Sequence, residues 1–190
     1  MFRRAFRLLV SPAREWAAIA ADRESWLAVG LRYVLPLAAL PAVAWMAGRA
    51  LFPADLVTWE SAPLAHVPMA IARAGAVAFC GSIVWVTLLA GAFCALAPMF
   101  GARRDWAQSW KVAAYGTTPV WLAGLLLVKP VLVGLLLLAM LHCSYLYYSG
   151  LQVVTGVKQS AAAEYVGIVL FLALVASTLL GAVLAGIGGA

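Results

Sequence analysis

Between Trp110 and Leu151 the chain reads WKVAAYGTTPVWLAGLLLVKPVLVGLLLLAMLHCSYLYYSGL, two apolar runs broken by Lys129-Pro130. A single helix of that length would overshoot the roughly 30 Å of hydrocarbon in a bilayer, whereas halves of about 17 to 24 residues match it at ~1.5 Å per residue. The stretch therefore predicts a transmembrane hairpin that reverses at Lys129-Pro130.

Composition agrees. Of 190 residues, 66% are hydrophobic and 11% charged, and the mean hydropathy is +1.00, far from the soluble average of about a quarter charged. An integral membrane protein is expected, with no stretch between apolar runs long enough for a separate soluble core. The formal charge of +6 does not point to nucleic acid, because the basic residues flank apolar segments, where orientation and anionic lipid account for them. Cys80, Cys94 and Cys143 are isolated and His66 and His142 are far apart, so no metal-ligand spacing arises. The sequence holds no HExxH, GxSxG or phosphate loop and no paired intramembrane carboxylate. No catalytic residue, metal or cofactor is expected, and the chain reads as a non-enzyme.

Along the chain, residues 1–26 form a cytoplasmic amphipathic segment, with Phe2, Phe6 and Leu9 on one side and Arg3, Arg4 and Arg7 largely on another. Ser11-Pro12 offers a helix start, with Glu15 in its first turn and Trp16 and Ile19 facing lipid or the bundle. The apolar run Leu8 to Val10 is too short for a signal peptide's core of about 7 to 15 residues, so the segment is expected to be retained. Residues 27–190 then form a five-span domain, with spans at about 27–51, 70–97, 112–128, 131–151 and 165–187. The fold class is all-α, a polytopic transmembrane bundle with an interfacial amphipathic helix at its start.

Pro36 and Pro41 free the carbonyls of Arg32 and Leu37, so the first span should bend or pack against polar groups. Arg32 is an interfacial anchor by reach. The loop Phe52 to Met69 holds Asp55 and Glu60 without Lys or Arg, which places it outside. Gly91 with Ala95, Gly181 with Ala185 and Ala182 with Gly186 form small-residue pairs that let a helix approach closely. Such faces permit a homo-oligomer or assembly with other membrane proteins. The loop Pro98 to Lys111 carries Arg103, Arg104, Trp106 and Trp110, an interfacial composition.

Counting outward from Lys129-Pro130 aligns Thr118 with His142 and Tyr115 with Tyr145. Tyr115, Thr117, Thr118, His142, Ser144 and Tyr145 would then share a belt roughly 17 to 23 Å from the outer turn. Pro119 leaves the carbonyl of Tyr115 without its helical donor, for a belt hydroxyl or a water to satisfy. These groups either bond one another and fix the hairpin, or line a path with His142 as a proton-linked or ligand-contacting group. The interfacial anchors expected are Arg3, Arg4, Arg7, Trp16, Arg103, Arg104, Trp106 and Trp110.

With the amino terminus inside, Arg3, Arg4, Arg7, Arg14, Arg23, Arg103, Arg104, Lys111 and Lys158 are cytoplasmic, against Lys129 and the boundary residues Arg49 and Arg73 outside. Five spans place the carboxy terminus on the opposite, periplasmic face, if the protein sits in a bacterial inner membrane, to which the rich use of Ala, Gly and Arg points. Together, Ser11 to Trp16, Tyr33-Val34-Leu35-Pro36-Leu37 with Pro41, Ala114 to Pro119 leading to Trp121-Leu122-Ala123-Gly124, and the exit Tyr145 to Leu151 resemble the YIP family (Ypt-interacting protein, "Yip-one" domain), in its bacterial branch, over almost the whole length. The resemblance implies five spans and a cytoplasmic amino terminus. Eukaryotic relatives bind prenylated Rab-type GTPases and act in membrane traffic and curvature. This chain lacks their long amino-terminal region, so GTPase binding is not expected of it. The function expected is a membrane-organising or assembly role with the lipid bilayer, anionic lipid included, as partner. The alternative is a transporter, channel or lipid-moving protein with a path near Tyr115, Thr118, His142 and Tyr145.

Overall fold

The computed structural model describes residues 2–51 and 68–188, all helix and short connections. The helices are α1 (Phe2–Val10), α2 (Pro12–Ala21), α3 (Trp26–Val29), α4 (Leu35–Leu51), α5 (Pro68–Leu96), α6 (Trp106–Gly116), α7 (Thr118–Ala123), α8 (Leu136–Thr155) and α9 (Gln159–Gly188). The acidic loop expected at Phe52 to Met69 lies, up to residue 67, outside the described residues.

Local chemistry sets the helix ends. Pro12 opens α2 at the position where its missing N–H costs nothing, while the Ser11 hydroxyl makes no capping bond. Asp105 caps α6 by accepting from the Gln108 N–H at 3.1 Å, and Ser25 caps α3 through the Ala28 N–H at 3.2 Å. Gly156, in the left-handed region at φ 73°, ends α8 and turns the chain into α9.

Pro36 shows how the chain accommodates a proline inside an apolar helix. Between α3 and α4, Gly30–Val34 widens into a π turn in which the Leu35 N–H bonds back to the Gly30 carbonyl. The widening absorbs the proline's missing donor and steric demand, so the expected bend takes this form. Pro41 packs on Gly124, where a Cβ would fall 2.5 Å from the proline ring.

Among the described residues four segments are long and apolar enough to cross a membrane: Trp26–Arg49, Ile71–Phe100, Trp106–Val128 and Gln159–Ala182. Five were expected, and the shortfall is the second arm of the hairpin. The chain does break at Lys129, which is extended (φ −121°, ψ 117°), but it is wound as 3-10 helix over Gly124–Val128 and Pro130–Leu135, so α-helix resumes only at Leu136. In α8, His142, Ser144, Tyr145, Tyr147, Tyr148, Ser149 and Gln152 dilute the apolar content. The residues that make this arm interesting are the ones that weaken its membrane signature.

Trp106–Val128 is the centre of the bundle. Of its most apolar stretch 61% is buried within the protein, against 39%, 28% and 22% for the other three in chain order. It packs on α3, α4, α5 and α8, while α9 leans on α5 and α8. Trp26, Trp106 and Trp110 cluster with centroids 6.0–6.5 Å apart, and Phe100 stacks on Tyr165 at 4.4 Å. These contacts gather the starts of α3, α6 and α9 and the end of α5 at one end of the molecule. Gly48 against the Val128 backbone and Gly75 against Met46 mark the other end.

Candidate functional site

The site grows from the interruption between α6 and α7. Pro119 cannot donate to the Tyr115 carbonyl, and the Thr118 hydroxyl takes over that role at 2.6 Å. Since that hydroxyl has one proton, the 2.7 Å contact with Tyr33 runs from the Tyr33 O–H to Thr118. A second relay has the same form: the Thr117 hydroxyl donates to the Ala113 carbonyl at 2.7 Å, and the Tyr147 O–H donates to Thr117 at 2.7 Å. Tyr33, from the π turn, and Tyr147, from α8, thus hold the two threonines from opposite sides. All four side chains, with Pro119, are buried. Gly116 leaves room for this closure, because a Cβ there would lie 2.3 Å from the Tyr147 ring.

Tyr115 connects the belt to the amino-terminal helices. Its ring lies 4.5 Å from that of Tyr33 and edge-on to Trp16 at 6.4 Å. Its hydroxyl accepts from Arg4 Nη1 at 3.0 Å. The same guanidinium meets Glu15 through Nε at 3.2 Å, Asp22 through Nη2 at 3.1 Å and Glu24 through Nη1 at 3.5 Å. Arg7 approaches the other oxygen of Glu15 at 3.9 Å. Lys111, buried on α6, donates to the Ile19 carbonyl at 3.4 Å and to the Asp22 carbonyl, so it caps the carboxyl end of α2.

The electrostatics follow the contacts. Burial disfavours the Arg4 charge, but the Tyr115 oxygen and the Asp22 carboxylate outweigh it and hold the guanidinium above its ordinary pKa. Burial likewise raises Asp22, yet the Glu24 N–H at 3.1 Å and Arg4 more than reverse this, so the carboxyl sits below its usual range. The result is an ionic clasp that fastens α1 and α2 to the central helix.

A family model described as the Yip1 domain matches residues 6–180. The chain belongs to the Yip1 family. No curated protein and no solved structure matches it. As a Yip1-domain chain with several apolar helices it is a multi-pass membrane protein.

Within this Yip1 domain the residues expected to form the belt divide into two groups. Tyr115, Thr117, Thr118 and Pro119 are together in the interior. His142, Ser144 and Tyr145 lie on the flank of α8: Ser144 donates to the Met140 carbonyl of its own helix at 3.1 Å, Tyr145 is half exposed, and the His142 ring is 6.0 Å from that of Tyr145. His142 Nε2 is buried and, among the described residues, has no hydrogen-bond partner. The buried face of α8 is Cys143, Leu146, Tyr147, Gly150, Leu151 and Val154, so the tyrosine that bonds the belt is two residues beyond Tyr145. Register counted symmetrically from the break sets Thr117 level with His142 and Cys143, whereas its bond is to Tyr147, about one turn further along α8.

Of the expected anchors, Arg3, Arg103 and Arg104 are exposed, with Arg104 reaching the Ala95 carbonyl at 3.3 Å. Arg7 and Trp106 are partly exposed, while Trp16, Trp110 and the Arg4 guanidinium face inward. Tyr33, Tyr147, Glu15, Asp22, Glu24 and Lys111 were not among the expected site residues. The legible signal for Tyr147 is the spacing Cys143, Tyr147, Gly150, Val154, which puts a glycine on the same stripe as the tyrosine.

Proposed function

We propose that this Yip1-family chain is a non-enzymatic membrane-organising protein that crosses the bilayer five times and acts through its contacts with lipid and other membrane proteins. One observation carries this reading: the interior hydroxyls of Tyr33, Thr117, Thr118 and Tyr147 are used up on each other and on the carbonyls of Ala113 and Tyr115, an arrangement suited to holding helices together.

The fifth crossing is α8. The starts of α6 and α9 lie at the same end of the molecule, so a chain that leaves Val128 at the far end has to return before Gln159. The 20 residues of α8 span about 30 Å at the α-helical rise. The end holding Trp26, Trp106 and Tyr165 is then cytoplasmic, since it gathers the excess of basic residues, and the carboxy terminus emerges on the opposite face of a bacterial inner membrane.

A second reading, a proton-linked or lipid-moving path along α8, draws on the unpartnered His142 Nε2 and the half-exposed Tyr145. Reconstituted liposomes separate the two. The organising role predicts proton flux and lipid scrambling equal to those of empty vesicles. Flux that falls in His142→Ala or Tyr145→Phe would decide for the path.

A further inference from the structure

The amino-terminal helix carries four distinct faces. At about 100° per residue, Ala5 and Leu8 point into the bundle, where both are fully buried. Arg4 points into the clasp. Phe2, Phe6 and Val10 form a stripe on the outside, at 59%, 65% and 65% exposure. Arg3 and Arg7 follow on the next sector, between that stripe and the clasp.

Two features decide what this surface meets. The first is depth. α1 lies against α7, and its Arg4 reaches Tyr115, which is nine residues along from Trp106, about 14 Å into the central span at the α-helical rise. The same Arg4 also meets Asp22 and Glu24, just before Trp26 of the tryptophan cluster, so α1 lies at the Trp106 end where headgroups meet acyl chains. The second is charge. The acids of the first 26 residues, Glu15, Asp22 and Glu24, are turned onto Arg4, whereas Arg3, Arg14 and Arg23 remain exposed and Arg7 half so. Folding leaves a basic outer surface on a segment whose sequence is more nearly balanced.

We propose that α1 is an anionic-phospholipid site: Phe2, Phe6 and Val10 enter the acyl region of the leaflet at the Trp106 end, and Arg3 and Arg7 take the phosphates of anionic headgroups there. The clasp presents the helix ready-folded, so lipid binding carries no cost of ordering it. Through Arg4 and Tyr115 the same helix is joined to the Tyr33–Thr118 relay, which places the bound lipid one residue from the core of the bundle. This deepens the membrane-organising role proposed above and rests on Trp106–Val128 crossing the bilayer.

The test is a thermal-shift titration of the detergent-purified full chain with phosphatidylglycerol, phosphatidylcholine or inorganic phosphate. Phosphatidylglycerol is expected to raise the Tm beyond phosphatidylcholine, with phosphate alone inert. Arg3→Gln and Arg7→Gln should each weaken the phosphatidylglycerol midpoint about fivefold. Phe2→Ser/Phe6→Ser, on an exposed face that folding does not need, should weaken the response to both lipids. Equal midpoints in wild type and the arginine variants, or a shift reproduced by phosphate, would overturn the proposal. So would a change from dimer to monomer in Phe2→Ser/Phe6→Ser, which would assign the stripe to a second copy. Labelling of Lys129→Cys from one side of sealed vesicles reports the crossing of the central span independently.

Discussion

Arg4 sits where three carboxylates and a phenol converge, and its contact with Tyr115 crosses from the amino-terminal segment to the central helix. Removing it leaves Glu15 charged and almost fully buried. Arg4→Met is expected to destabilise the protein by about 2–3 kcal/mol, below the range for a fully buried pair because the guanidinium is partly exposed. Arg4→Met/Glu15→Leu should recover most of that loss, and thermal unfolding in detergent measures both. Asp22 adds a pH dependence of defined sign. Its folded pKa is depressed, so its contribution is complete above the unfolded value of about 3.9 and is lost as pH falls through the lower folded one. Hydrogen exchange in residues 12–22 should be constant from neutral pH to about 5 and, after correction for the intrinsic rate, rise below about 4. The unpartnered His142 Nε2 predicts that His142→Leu is neutral or stabilising by about 1 kcal/mol, since it removes a buried polar atom with no bond to lose. The clasp was not legible in the sequence. Arg4 belongs to the basic side of α1 by spacing, and nothing local shows that acids eleven to twenty residues away fold back onto it.

Helix packing here depends on glycines that sit under aromatic rings. A Cβ on Gly150 would lie 2.6 Å from the Trp16 indole, so the amino-terminal segment seats on α8 only because that position is bare. Gly150→Val should cost about 1–3 kcal/mol through overpacking and detach α2, visible as a lower Tm together with faster exchange in residues 12–22. By contrast, among the described residues Gly91 and Gly181 have no neighbour within 4 Å of an added Cβ. The glycines Gly91 and Gly181 of the pairs that the sequence offers as packing faces are thus open among the described residues, whereas the close approaches occur at Gly48, Gly75, Gly116, Gly124 and Gly150. A small-xxx-small spacing shows where a helix can come close; which helix comes is decided by topology. The hairpin break was legible because Lys-Pro cannot continue an apolar helix, and the pairing across it was not, because the long Tyr147 side chain, about one turn beyond the level of Thr117, is the one that reaches its hydroxyl.

Over the whole molecule, composition and apolar run length sufficed for the all-helical membrane class, and the motifs for the Yip1 family. They overcounted segments that qualify as crossings on composition alone, because α8 trades apolar content for the tyrosines and hydroxyls that bond the central helix. The account holds that this interior is dry and structural, with Thr118 at its centre. Cysteine accessibility measures this directly. With Cys80, Cys94 and Cys143 replaced, Thr118→Cys in intact vesicles should resist a membrane-impermeant thiol reagent from either face, while Lys129→Cys reacts from one face only. Rapid labelling of Thr118→Cys would mean that water reaches the belt, and a conducting path would replace the sealed bundle.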